Sequence, residues 1–475
     1  MPTDAEIIGL SLEDLLAAIG RGAVSATETV QAYLDRAEEH ADLGAFITLA
    51  RDEALSAAAD ADRAHSAGAA RGPLHGAPVA LKDMIATRGL RTTAGSEVLG
   101  EWVPDEDAAV VARLRAAGAI VEGKTHTTEF SVWATGGHPR YRTPRNPWDV
   151  TRVPGGSSTG SAIAVAAGLA PVALGTDTGG SARIPAALCG VVGLKPTRGA
   201  ISAAGVIPLS RSLDHVGILA RTVRDAALVL AAVRTDRSPH DPLPARVDLR
   251  GARVGILELA SAPDPDVAQA LLDAQAVLAD LGATLDATAV AALADAPELS
   301  SAIQYPELLA YHAAGLHARP EAYGRELRSG CEVGATIAPA EQARARAGAR
   351  RLAAAVDCAL SDRDALLLPT VGLGAPPIGQ EEVQFDGCPQ SVDLVLSEYT
   401  RAFNLTGHPA VSMPCGRTAE GLPIGLQLVG RRGQDVALLE LAHAYERASA
   451  WHEDLPVHPQ SALIHHQPAR TPCST

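Results

Sequence analysis

Polar and apolar positions alternate along this chain in two rhythms. Near the start, Ser11-x-x-Asp14 and Ser25-x-x-Glu28 place a hydroxyl three residues ahead of an acid, and the second runs into the periodic TVQAYLDRAEEH. Both patterns predict helices, and a third is expected over residues 53–67. APVALK (77–82) reads as a short buried strand. DAAVVARLRAAG followed by AIVEG reads as helix, glycine stop and strand. TGSAIAVAAGL predicts a helix of small residues, and APVALGTD a strand that runs into GTDTGGSARIP (175–185). That last run is too rich in glycine and hydroxyls to be a helix or a plain strand. GARVGIL and DALLLPT predict further strands. DVAQALLDAQAVLADLG and EQARARAGARRLAAAVDCAL predict long amphipathic helices. PAVSMPCG and LPIGLQLVG flank a turn containing Gly421 and predict an antiparallel pair. The alternation of helices and strands defines an α/β fold, and the late pair makes its sheet mixed. Residues 234–250 read as a surface connection. The stretch after residue 455 lacks periodicity and reads as a loose tail, with His465 and His466 as polar tail residues rather than metal ligands.

Composition narrows the function. Of 475 residues, 47% are hydrophobic, ample for a core, and the formal net charge is -15. That charge argues against a general affinity for nucleic acid or an anionic membrane. The first residues are acidic and make a poor signal peptide. The longest apolar run, 162–174, is interrupted by Gly168 and Pro171 and is too short to span a bilayer. The six cysteines show no CxxC spacing, which argues against a zinc site or a disulfide framework. A soluble cytoplasmic setting is the expectation.

Two motif matches fail on context. GAIVEGKT (118–125) fits the phosphate-binding pattern GxxxxGK[ST], but the predicted strand lies between the glycines, where a free loop is required. GSSTG (156–160) fits GxSxG around Ser158, but the preceding RNPWDVTRVPGG cannot be the strand that a nucleophile elbow needs. Neither His408 nor His443 sits where a partner histidine would be convincing.

Three polar points remain. Lys82 ends the strand in HGAPVALKDMI, Ser157 lies in PGGSSTGS, and Ser181 lies in GTDTGGSARIP. Taken singly, each has an ordinary reading as a surface lysine or a helix cap. Taken together, with PGGSSTGSA, ALGTDTGGSARIPAALCGVVGLKPT, TPRNPWD and LTGHPAVSMPCG…GLPIGLQLVG, they resemble the amidase signature family over most of the chain. Thr159 is a small departure, since glycine, serine or alanine is more usual there.

The resemblance implies a single large α/β domain over residues 1–455, with a mixed, mostly parallel, twisted sheet covered by helices on both faces. Its catalytic core would span about 70–230, and 456–475 would be a flexible tail. It implies a Ser-Ser-Lys triad: Ser181 as the nucleophile that forms an acyl-enzyme, Ser157 after a cis peptide as proton relay and substrate contact, and Lys82 as the base. Thr178, Gly179, Gly180 and Ser181 would supply oxyanion-hole N–H groups. Asp177 and Arg183 read as a brace for the turn. Ser131 aligns with a position that lines the acyl pocket in fatty acid amide hydrolase, with Phe130, Val132 and Trp133 as walls or core. No metal and no organic cofactor follow. The expected activity is hydrolysis of a small-molecule amide, with no membrane or direct nucleic-acid partner and with a homodimer as the assembly entertained. The alternatives are the glutaminase subunit of a tRNA-dependent amidotransferase, for which Arg325 and Arg328 would have to grip glutamine, a carbamate or urea-derivative hydrolase, and a serine esterase built on Ser158.

Overall fold

A computed structural model describes residues 2–69, 72–135, 140–236, 248–449, 451 and 456. Most of the connection over 234–250 and nearly all of the tail after 455 fall outside the described residues. Thirteen strands follow the chain: β1 (Phe46–Leu49), β2 (Pro78–Lys82), β3 (Ile120–Thr125), β4 (Val172–Asp177), β5 (Val192–Lys195), β6 (His215–Ala220), β7 (Arg253–Leu257), β8 (Thr284–Thr288), β9 (Ala365–Pro369), β10 (Glu382–Phe385), β11 (Cys388–Ser391), β12 (Ala410–Arg417) and β13 (Pro423–Gly430). Eleven of them form one sheet in the order β1-β3-β2-β4-β6-β5-β12-β13-β9-β7-β8, and β10 and β11 form a separate hairpin.

The fold is α/β with a mixed sheet flanked by helices. Parallel pairs lie towards the two ends, where β2 joins β3 and β4, and β7 joins β8 and β9. The centre, from β4 through β6, β5, β12 and β13 to β9, is antiparallel throughout. Antiparallel pairing is therefore more extensive than the sequence suggests. β12 and β13 pair as their pattern predicts.

The period-two alternation of the strands divides the core between two faces. Val79 and Leu81 of β2, Val172 and Leu174 of β4, and Leu367 of β9 join one apolar layer, with the helices Val223–Val233, Pro265–Asp280 and Asp435–Ser449. Ala80 and Ala173 face the other way, onto the helices Thr159–Ala166 and Arg183–Cys189. Every residue of those two helices is buried. The glycine, alanine and serine of Thr159–Ala166 follow from this, because only small side chains let that helix lie so close to the sheet. At Gly160, an added Cβ would come within 2.0 Å of Ala45 O.

Candidate active site

β2 and β4 are parallel neighbours, so their carboxyl ends open on the same edge of the sheet, where ligands of α/β sheets collect. β2 ends in Lys82. β4 ends in Asp177 and passes through the turn at Thr178–Ala182 into the helix Arg183–Cys189. The quoted GTDTGGSARIP is thus a strand end, a tight turn and a helix start. Ser157 precedes the helix Thr159–Ala166 and follows a cis peptide bond from Gly156.

The structure brings these pieces together. Lys82 Nζ lies 2.7 Å from Ser157 Oγ and 2.6 Å from Thr176 Oγ1. Lys82 and Ser157 are fully buried, and Ser181 is 9% exposed. The backbone N–H of Ser158 donates to Ser181 O at 3.0 Å, which ties the two serine segments together. Ser181 Oγ itself bonds no described residue. Burial drives the Lys82 pKa well below its ordinary value, against the weaker pull of Asp177 and Asp214 in the other direction. That shift favours the neutral amine, which is far more basic than the hydroxyl of either serine. Thr176 is a partner that sequence reasoning missed, although it stands inside the quoted motif.

The turn is held from several sides. Asp177 accepts from the N–H groups of Gly180 at 2.9 Å and Ala182 at 3.2 Å, and pairs with Arg183 at 2.8 Å. Both charged side chains are fully buried. Arg183 and the other groups on Asp177 hold its carboxyl far below the usual range. The guanidinium also donates to Asn404 Oδ1, Thr400 O and Gln427 Oε1. Thr178 Oγ1 donates to Asp214 Oδ1 at 2.6 Å, and Thr400 Oγ1 to Gly179 O at 2.6 Å. The expected set of four oxyanion donors needs one correction: the Gly180 N–H is engaged by the Asp177 carboxylate. The remaining candidates are the N–H groups of Thr178, Gly179 and Ser181.

A cavity of about 990 Å³ opens beside Pro154 and Gly155, just ahead of Gly156 and Ser157. Its wall includes Trp133, Asp393, Glu129, Arg325 and Arg328, but not Ser181. Ser131 does not line it either. That side chain is buried and lies 3.4 Å from Thr127 Oγ1. Phe130 and Val132 belong to a core cluster with Tyr323 and Leu327, so of the expected apolar walls only Trp133 reaches the cavity. Asp393, not anticipated, accepts the N–H groups of Ala134 at 2.7 Å and Thr135 at 3.0 Å and fixes the loop that packs on Gly156.

The discarded motifs have structural homes. Lys124 lies within β3 and donates to Ile85 O and to Thr92 Oγ1, with Asp83 3.5 Å away. Ser158 Oγ bridges the backbone of Thr176, donating to its carbonyl at 3.0 Å and accepting its N–H at 3.1 Å. His408 contacts Asp357, and His443 contacts Glu446. Neither histidine bonds a serine of the site. Among the described residues no cluster could hold a metal ion, and no helix is long and apolar enough to cross a membrane.

This geometry, in which a depressed lysine touches a serine beside a glycine turn that ends in a second serine, defines a class. The family model for Amidase matches residues 28–439. The chain belongs to the amidase signature family and is by that an enzyme of the carbon–nitrogen hydrolase class. It is 36% identical to a Glutamyl-tRNA(Gln) amidotransferase subunit from a Picosynechococcus species, over 94% of this chain and 99% of the relative. A crystal structure of an amidase matches with a TM-score of 0.86 and 32% identity, covering 92% of this chain and 99% of the other. Peptide amidase from Stenotrophomonas maltophilia matches with a TM-score of 0.80 and 35% identity, covering 94% and 98%.

Proposed function

We propose that the chain cleaves a carboxamide by acyl transfer to Ser181. The observation that carries this is the contact of Lys82 Nζ with Ser157 Oγ at 2.7 Å, in a place where burial favours the neutral amine. Ser181 Oγ attacks the carbonyl carbon while its proton passes to Ser157, whose own proton passes to Lys82. The oxyanion is met by the remaining N–H groups of the turn. Collapse breaks the C–N bond, and the proton returns through Ser157 to the leaving nitrogen. Water then hydrolyses the acyl ester by the same relay. Hydrogen bonds of this kind commonly close only when substrate is seated, which fits the unpartnered Ser181 hydroxyl. Ser131 has no place in this scheme, and Asp177 and Arg183 act by holding the turn.

The curated relatives favour glutamine as the amide, with its ammonia handed on inside a multi-subunit amidotransferase. A second reading, a stand-alone amidase for small linear amides, draws on the solved amidases of the same fold and on the two arginines expected to grip glutamine. Arg325 is 75% exposed at its side chain and lies 3.5 Å from both Glu326 and Glu381, and Arg328 Nη1 donates to Pro320 O and Tyr323 O. The test is Ser181→Ala. It should abolish labelling by a fluorophosphonate amide probe and all release of ammonia or amine. Labelling that persists at Ser158 would sink the proposal in favour of an esterase.

A further inference from the structure

The segment Thr400–Arg401 runs over the catalytic turn. Thr400 Oγ1 bonds Gly179 O, and Arg401 Cγ lies 3.8 Å from where a Cβ on Gly179 would stand. From there the guanidinium reaches Ser397, whose hydroxyl is met by Nε at 2.9 Å and also by Nη2. Both bonds go to one oxygen. Nη1 bonds no described residue, and no described carboxylate forms an ion pair with this arginine. Two acids act on it through space without touching it, Glu398 and Asp393, and Asp393 is also held by the N–H groups of Ala134 and Thr135.

A guanidinium presents five N–H donors in a planar fork that matches a carboxylate. Burying one with no carboxylate in contact is costly, and burial depresses the pKa of Arg401 against the weaker through-space pull of Tyr305, Glu398 and Asp393. A half-buried, unpaired cation against Gly179 is therefore placed for an anion that arrives with the substrate. We infer that Arg401 anchors a carboxylate of the substrate, so that the amide cleaved at Ser181 is one that also carries an acid group. This rests on the acyl-transfer reading of Ser181. It assigns substrate selection to Arg401 rather than to Arg325, which is exposed and lies beside two acids, or Arg328, whose guanidinium already donates to two backbone carbonyls.

The test compares succinamate and its longer homologue glutaramate with neutral butanamide. In Arg401→Met, kcat/KM for the better amic acid should fall about 10- to 100-fold, as for loss of a charge-assisted hydrogen-bonded pair, and chiefly through KM. Butanamide turnover should fall far less than amic-acid turnover, and Arg401→Lys should recover part of the loss. An equal loss on charged and neutral amides would overturn the inference, because Arg401 would then merely support the turn. So would a wild-type enzyme that does not prefer the amic acids. Calorimetry in a Ser181→Ala background separates the two readings. If the amic acids bind Ser181→Ala but not the double variant with Arg401→Met, while the wild type hydrolyses no amide, the anchor stands and the acyl-transfer reading falls. If both variants bind them equally, the anchor falls whatever the turnover.

Discussion

Burial pushes the Lys82 pKa well below its ordinary value, and that fixes the sign of the pH response. Its pKa is lower in the fold than the ordinary value of about 10.4. Activity should therefore rise with pH as Lys82 loses its proton. Lys82→Ala should cut kcat/KM about 100- to 10,000-fold and remove that acid limb, as loss of a general base does; a pH–rate profile reads both. In the window between the folded and unfolded values the unfolded chain binds the extra proton, so this lysine opposes folding there and ceases to do so above the unfolded value. Asp177 has the opposite sign. Its folded pKa lies below the usual carboxylate value, so its stabilisation is fully present above about 3.9 and is lost as the pH falls through the folded pKa. Arg183→Met strips the charge that balances it. The expected cost is about 3–5 kcal/mol in urea denaturation at neutral pH, because a buried carboxylate is left uncompensated. The contact of Lys82 with Ser157 was foreseeable because their runs, ordinary when taken singly, together with that of Ser181 carry the family resemblance. Thr400, Asn404 and Gln427 were not. They meet Arg183 from 217, 221 and 244 residues away, and nothing local in SEYTRAFNLTG or LPIGLQLVG announces that contact.

The strand–turn–helix unit around Ser181 makes a prediction of its own, because its two glycines are there for different reasons. Gly180 has φ of +124°, and a Cβ there would come within 2.2 Å of Thr400 Oγ1. Gly179 has no close neighbour, its nearest being Arg401 Cγ at 3.8 Å. Gly180→Ala should therefore lower the thermal midpoint and destroy activity together. Gly179→Ala should fold with a near-native midpoint and lose activity by crowding the approaching carbonyl. Differential scanning calorimetry beside an amide assay separates the two, and equal destabilisation by both would show that the whole turn is closed to side chains. Strong local patterns gave the flanking elements closely: the helix expected over 53–67 is Arg51–Ser66, and the strand expected over 77–82 is Pro78–Lys82. The central strands β5 and β6 carried no such signal. VGLK and HVGILA are short, and each is identified as a strand only by the antiparallel neighbours that complete its hydrogen bonds. The strand order was equally hidden, since period-two patterning tells which faces are buried and not which edges meet.

At the scale of the whole molecule the question is whether the chemistry needs a second chain. The amidotransferase relatives are by name parts of a larger assembly, and the amidase structures that match share the same fold. Every group in the proposed mechanism comes from this one polypeptide: Lys82 from β2, Ser157 from the start of a helix and Ser181 from the turn, with Thr176 of β4 bonded to Lys82. The brace is also internal, reaching from Asp177 through Arg183 to Gln427 of β13. A partner could supply a route for ammonia or alter access to the cavity, and the proposed mechanism assigns it no catalytic group. The isolated chain should therefore form the acyl-enzyme. Incubated with an amide and hydroxylamine, it should yield the hydroxamate, and a fluorophosphonate should label Ser181 with no other protein present. Labelling that appeared only with a partner would mean that the turn is assembled by that partner, which the buried contacts around Asp177 argue against. Ammonia release from glutamine that rises on adding the other components of an amidotransferase, over a constant rate of Ser181 labelling, would place the chain on the amidotransferase side. Unchanged release would leave it a self-sufficient amidase.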